Sequence, residues 1–195
     1  MAERELARLL KDIRACRICA AELEPRPVLH VSSTARILIA SQAPGLRVHK
    51  TGQSFNDTSG DRLRDWIGID RDTFYDETRI ALAAMAFCFP GYDRNGADRP
   101  PPRICAATWR KPLIEALPDI RLTLLVGSYA QRWHLGDAVK SNMTETARAW
   151  RDYAPRFIPL PHPSWRNNGW LKQNPWFERD LLPYLRKRVR RLLSS

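Results

Sequence analysis

The residue best placed to do chemistry in this chain is a histidine between two prolines, Pro161-His162-Pro163. Each proline fixes φ and biases the residue before it toward extended backbone, so His162 belongs to a stiff loop and not to a helix. The loop continues as Ser164-Trp165-Arg166-Asn167, which brings a hydroxyl, an aromatic ring, a cation and an amide to one tip. An ordinary proline-rich turn with a solvent-facing histidine would have the same composition. A second set of chemically competent residues is the four cysteines, Cys16, Cys19, Cys88 and Cys105. The Cys-x-x-Cys at 16–19 puts two thiols within reach of one centre. Four soft thiolates suit zinc or an iron–sulfur cluster. A lone Cys-x-x-Cys is also compatible with a redox pair, and four buried thiols without a metal is the plainest alternative. The wide gap between Cys88 and Cys105 disfavours a zinc finger without excluding zinc.

The elements that must position these groups can be read from the apolar pattern. Leu6, Leu9, Leu10 and Ile13 have helical spacing and predict a helix from about Glu3 into the Cys16–Cys19 pair. Arg36 to Ser41 is an apolar run without alternation, as expected of a buried parallel strand. It ends in the turn Gln42-Ala43-Pro44-Gly45, and a polar loop containing Gly52 and Phe55 follows. Thr58 and Ser59 are candidate caps for a helix through Leu63, Trp66 and Ile67. A second strand is predicted over Arg79 to Phe87, stopped at Cys88-Phe89-Pro90-Gly91, and residues 91 to 103 read as a loop. A helix from about Ile104, a strand over Arg121 to Gly127, a helix from Ser128, a polar helix near Thr144 to Arg151, a strand over Arg156 to Leu160 and a last helix from about Pro175 complete the chain. Strands alternating with helices predict an α/β fold, a three-layer αβα sandwich around a four-stranded parallel sheet, in one domain over 1–195. His162 then follows a strand end, where open α/β sheets bind ligands.

Composition narrows the partners. Thirty-two Lys and Arg oppose 21 Asp and Glu, a formal charge of +11. That excess favours a polyanion through counterion release. Arg47, Lys50, Arg62, Arg64 and Arg166 flank the motifs, whereas Arg186-Lys187-Arg188 and Arg190-Arg191 read as a solvated helix face. No apolar run approaches membrane-spanning length and the N-terminus lacks a signal-peptide pattern, so a cytoplasmic protein without a membrane partner is expected, with disulfides improbable.

Three motifs in order resemble the uracil-DNA glycosylase superfamily, specifically its iron–sulfur-containing bacterial and archaeal branches, the fourth and fifth families. The first reads Ser41-Gln42-Ala43-Pro44-Gly45, six residues, Gly52-Gln53-Ser54-Phe55, then Ser59-Gly60-Asp61. The second is His162-Pro163-Ser164 with its Trp165-Arg166-Asn167 tip, closer in Arg-Asn to the single-strand-selective branch. The third is the cysteine set, which matches the cluster ligands of the fourth family in order and closely in spacing. The resemblance covers nearly the whole chain. It implies a structural [4Fe-4S] cluster on Cys16, Cys19, Cys88 and Cys105, and hydrolytic removal of uracil from DNA in base excision repair. No lysine is evidently placed to form a Schiff base, so a monofunctional enzyme is expected, with a monomer as the default for one that embraces a single duplex. The target nucleotide must leave the base stack before its N-glycosidic bond can be reached. By resemblance, Phe55 stacks on the flipped ring and the backbone of Gln42 and Ala43 meets a uracil carbonyl. His162 stabilises the negative charge that collects on the departing base. Ser164, Trp165, Arg166 and Asn167 engage DNA, with Trp165 or Arg166 filling the vacated space.

Two positions depart from the pattern. The first turn holds Gln42 and Ala43 where better-known branches carry a carboxylate or amide that positions water. Gln42 can orient water but cannot take its proton. The fifth family resembles this chain in an Asp three residues before the Gly of its Ser-Gly pair, here Asp57 with a spacing from Phe55 one residue shorter, which is therefore expected to support the water or the cationic sugar. A helix N-cap is the alternative role for that residue, and His49 and Asp61 are weaker candidates. The second departure is Ala84, four residues before Cys88, where uracil-specific members place an Asn. Its absence predicts looser base selection, extending to deaminated bases such as hypoxanthine or xanthine. Backbone near Ala84 to Phe87, or Asn56, is then left to read the base. The competing functions are a non-catalytic module that flips or senses damaged bases and a zinc-stapled nucleic-acid-binding protein.

Overall fold

The unbroken apolar runs become the strands of one parallel sheet in the computed structural model, which describes residues 2–194. In chain order the first half comprises α1 (Ala2–Arg14), β1 (Ile37–Ala40), α2 (Leu46–Thr51), α3 (Thr58–Ile67), α4 (Arg71–Tyr75) and β2 (Ile80–Leu82). The second half comprises α5 (Arg103–Glu115), β3 (Leu122–Val126), α6 (Ser128–Leu135), α7 (Met143–Arg148), α8 (Trp150–Tyr153), β4 (Phe157–Leu160), α9 (Asn168–Gln173) and α10 (Leu182–Leu193). The strand order is β2-β1-β3-β4, all parallel.

The residues of β1 show why the sheet has two covered faces. All four are buried. Successive strand side chains point to opposite faces. Ile37 and Ile39 pack with Leu63, Trp66 and Ile67 of α3 and Leu185 and Val189 of α10. Leu38, between them, packs with Leu6 and Ile13 of α1 and Leu113 of α5. One strand thus contributes to two helical layers, which is the three-layer αβα sandwich. β4 lies on the edge of the sheet, where Pro159 removes a donor that no further strand needs. Among the described residues, no helix is long and apolar enough to cross a membrane.

The boundaries differ from the sequence pattern in places that matter for the site. α1 stops at Arg14, and the amide of Cys16 closes a turn onto the Ile13 carbonyl, so the Cys16–Cys19 pair lies on turns beyond the helix. The second strand ends at Leu82, but residues 83–86 stay tied to the chain after β1. Ala83 donates to the Ile39 carbonyl, Met85 to Ser41 and Ala86 to Gln42. The loop expected between Gly45 and Phe55 contains α2, and α4 is short enough to have escaped the periodicity. The polar helix near Thr144 is split into α7 and α8. The loop after Gly91 folds into a small hairpin, with a bridge between Tyr92 and Asp98. A π-helical turn at Phe177–Leu181 leads into α10.

Candidate active site and cysteine cluster

The carboxyl ends of β1, β2 and β4 converge on a small cleft of ≈ 70 Å³. Its wall includes Ser41, Ala43, Pro44 and Gly45 from the turn after β1, Val48 from α2, Ala84 beyond β2, and His162 beyond β4. Ser54, Phe55, Asp57 and Ser59 close it from the segment entering α3. Ligands of open α/β sheets bind at this end. The structure therefore brings together five of the residues expected to form the base site: Ala43, Phe55, Asp57, Ala84 and His162.

Phe55 is held by its own backbone. Its φ is +56°, a left-handed conformation that a non-glycine residue seldom adopts. The carbonyl that results accepts a hydrogen bond from the Tyr75 hydroxyl at 3.0 Å, and the same hydroxyl lies 3.0 Å from the Ser54 carbonyl. Gly60 makes the arrangement possible, because a Cβ there would lie 1.7 Å from the Phe55 carbonyl oxygen. The ring itself meets the Phe74 ring edge-on, with centroids 6.0 Å apart. Phe74 is fully buried, so the platform rests on the core.

Asp57 has the cap geometry as well as a place in the cleft. Its Oδ1 accepts from the Gly60 amide at 3.0 Å, so it, and not Thr58 or Ser59, is the N-cap of α3. The capping role foreseen for it is therefore seen, and the same residue also lines the cleft. Gln42 does not line the cleft; its carbonyl accepts from the Ala86 amide. Asn56 does not line it either, because its Oδ1 accepts from Arg71 at 3.1 Å. A side chain turned to Arg71 is spent on a surface contact and does not face a base in the cleft. His49 is a buried residue of α2 that pairs with Glu24 at 3.1 Å, and Asp61 pairs with Arg64 on α3.

His162 is fixed from both sides. Pro161 and Pro163 are buried, and the Asn167 amide donates to the His162 carbonyl at 2.6 Å. Arg62 of α3 donates to the Ser164 carbonyl at 2.9 Å, joining the second motif to the first. His162 lines the cleft and is also exposed to solvent. Desolvation lowers its pKa below the ordinary histidine value, while the charges of Asp57 and Asp98 pull it back up. The shift favours the neutral ring, which offers an N–H to a developing anion. Asp98 comes from the hairpin after Gly91, a neighbour the sequence pattern did not identify.

Beyond His162 the chain makes a single 3₁₀ turn over Trp165–Asn167, capped by the Ser164 hydroxyl, which accepts from the Arg166 amide at 3.2 Å. Trp165 is 67% exposed, with the Arg166 guanidinium 5.9 Å from its ring centroid. An indole so exposed on a basic tip is suited to stacking against nucleobases.

All four cysteines are free and line a second, smaller cavity of ≈ 30 Å³. Ile18, Leu23, Pro25, Ile104 and Trp109 complete an apolar wall. Among the described residues, no three His, Cys, Asp or Glu side chains are drawn into a ready metal-holding group. Burial pushes the Cys105 thiol up to about 11, and nearby Cys88, Cys16 and Cys19 add to the rise; burial also raises Cys88 and Cys19. Thiols that raise one another in an apolar cavity favour the protonated form unless a cation takes up their charge, which fits a soft metal centre.

With this geometry in hand, the comparison with known families is decisive on class. The family model described as the uracil DNA glycosylase superfamily matches residues 29–186. The chain belongs to that superfamily, which makes DNA its partner and N-glycosidic hydrolysis its class of activity. Both motifs of the cleft lie inside the match, as do Cys88 and Cys105, whereas Cys16 and Cys19 precede it.

Proposed function

We propose that this superfamily member excises uracil from DNA by hydrolysis, leaving an abasic site for base excision repair. The observation that carries the reading is the convergence of a rigid aromatic platform, Phe55, and a neutral, proline-held imidazole, His162, on one cleft.

The chemistry follows from those groups. A flipped uracil stacks on Phe55. As its N1–C1′ bond breaks, the bonding electrons move into the ring and gather on the O2 carbonyl oxygen. An N–H of His162 donates to that oxygen, more strongly as charge grows, which lowers the barrier. The sugar becomes cationic at C1′ and water adds there, losing a proton to solvent. Asp57 holds negative charge at the cleft wall, where it favours the cationic sugar and orients water. Oxygen from water becomes the C1′ hydroxyl, and the uracil anion leaves. The Trp165–Asn167 tip occupies the space left in the DNA.

The four cysteines would hold a [4Fe-4S] cluster that staples the turns after α1 to the segment after β2 and to α5. Its role here is architectural. The thiolate set and the apolar wall support that reading. Visible absorbance with stoichiometric iron and sulfide supports the cluster; a colourless zinc protein contradicts it.

The decisive test incubates wild type and His162→Ala with oligonucleotides containing uracil, hypoxanthine, xanthine or only normal bases, followed by alkaline cleavage. Wild type should cleave at uracil, and the variant should be slower by about 10²–10³-fold. Binding of uracil DNA without any release by wild type would instead establish a non-catalytic damage sensor.

A further inference from the structure

A buried guanidinium stands behind the cleft. Arg110 lies on α5, five residues beyond Cys105, and is 1% exposed. A cation taken so far from water is costly unless its donors are answered. Among the described residues no carboxylate pairs with it. Instead Nη1 donates to the Ala83 carbonyl at 2.8 Å and to the Ala84 carbonyl at 3.2 Å, and Nη2 donates to His134 Nε2 at 3.0 Å. His134 can accept because burial and the Arg110 charge hold its pKa down at about 3, leaving it neutral.

One of the acceptors that Arg110 has drawn in, the Ala84 carbonyl, belongs to a residue of the base site. Ala84 is part of the cleft wall and Arg110 is not. The Ala84 carbonyl is therefore already engaged by a guanidinium that lies outside the cleft wall. The Ala84 side chain is a methyl group and offers no acceptor. An exocyclic amine brought against this wall would lose its water and find no partner, which is the costly half of hydrogen bonding. A carbonyl at the same edge also loses its water, but an under-satisfied carbonyl is tolerated more readily than an orphaned N–H.

We infer that Arg110 is a specificity-determining positioning residue. By engaging the Ala84 carbonyl it occupies the acceptor that an amine-bearing base such as cytosine would need, and it leaves the site to bases with a carbonyl at that edge, such as uracil. Discrimination then comes from refusing the wrong base, not from an added contact to the right one. This inference rests on the reading of the cleft as the base site.

The test measures single-turnover release of uracil and of cytosine from otherwise identical oligonucleotides, with wild type, Arg110→Gln and Arg110→Lys. Thermal unfolding confirms that each variant is folded. Wild type should favour uracil strongly. Arg110→Gln frees the Ala84 carbonyl and should lower the uracil-to-cytosine ratio by about tenfold or more. Arg110→Lys, which keeps the buried charge, should fall between. A general loss of packing would slow both bases alike and leave the ratio where it was. A folded Arg110→Gln protein with an unchanged ratio overturns the inference and leaves the glycosylase reading intact. If Arg110→Gln does not fold, the wild-type ratio and Arg110→Lys decide, and wild type releasing cytosine as fast as uracil overturns the inference alone. Wild type that releases no base from any oligonucleotide overturns the glycosylase reading, and this inference with it.

Discussion

Gly60→Ala is a perturbation on which helix propensity and the structure give opposite answers. Gly60 is the third residue of α3 and its φ is not in the left-handed region, so alanine there should stabilise the helix by about 1 kcal/mol. The added Cβ, however, would sit 1.7 Å from the Phe55 carbonyl oxygen and 2.6 Å from its carbon. Reaching 3.0 Å from the oxygen requires a shift of about 1.3 Å, the difference between those separations. The oxygen is backbone and is tethered to the Tyr75 hydroxyl, so no flexible side-chain end absorbs the movement. Overpacking of this kind costs about 3 kcal/mol at the upper end of its usual range. Set against the propensity gain, the net loss is about 2 kcal/mol, or a fall in Tm of about 4–8 °C for a chain of this size. The functional effect should be larger in relative terms. Moving the Phe55 platform by about 1 Å misaligns the flipped base against His162, and misplacement of that order costs up to about 10²-fold in rate. The assay pairs a thermal melt with single-turnover release from a uracil oligonucleotide. A Tm that rises or holds, together with unchanged release, would refute the claim that Gly60 is a cradle for Phe55.

Four further outcomes follow from the same geometry. Asp57→Asn keeps an N-cap acceptor, so stability should change by less than about 1 kcal/mol while base release falls by orders of magnitude with DNA binding intact; unchanged release assigns Asp57 to capping alone. Because desolvation lowers the His162 pKa, the neutral ring persists below the free-histidine value. Any downward step that His162 imposes on the single-turnover profile should therefore fall below pH 6.5, and a step at or above that value would show that the ring is not desolvated. His134, held at about 3, contributes stability that is fully present above the unfolded value near 6.5 and is lost as pH falls toward 3. Urea melts at pH 7 and pH 5 should show that loss in wild type, and a smaller one in His134→Gln. Trp165→Ala should weaken DNA binding and leave Tm within about 1–2 °C, since the indole touches little of the core.

The fold was legible because its strands carry a pattern that few other structures tolerate. Ile37-Leu38-Ile39-Ala40 and Leu122 to Val126 have no polar alternation, and only a sheet covered on both faces buries such runs. Where the pattern failed, tertiary contacts had taken over. The apolar run from Arg79 to Phe87 reads as one strand, but Ala83 to Phe87 leaves the ladder while keeping selected hydrogen bonds to residues 39–42. Apolar composition reports burial and not ladder geometry, and Ala83 to Phe87 are buried without being strand. α2 and α4, at six and five residues, are too short for a 3.6-residue period to show.

The site divides along a related line. His162, Phe55 and Asp57 stood out because side-chain chemistry and local stiffness are written in residue types. Asn56 was a reasonable candidate by type, but in the folded chain its side chain accepts from Arg71 and does not line the cleft. Gly60, Tyr75 and Arg110 could not be ranked from sequence, because each acts on someone else's backbone. Gly60 admits the Phe55 carbonyl, Tyr75 bonds it, and Arg110 fixes two carbonyls beyond β2. The partner in every case is a main-chain oxygen, an atom common to all residues and therefore silent in a one-letter string. The signal that does exist is indirect. Ala84 stands where a reading side chain is expected, and that vacancy in the motif transfers the selection of the base to backbone atoms and to whatever orients them. A buried arginine with no acid to answer it is the residue whose placement is otherwise hardest to explain. The two anomalies meet at the Ala84 carbonyl.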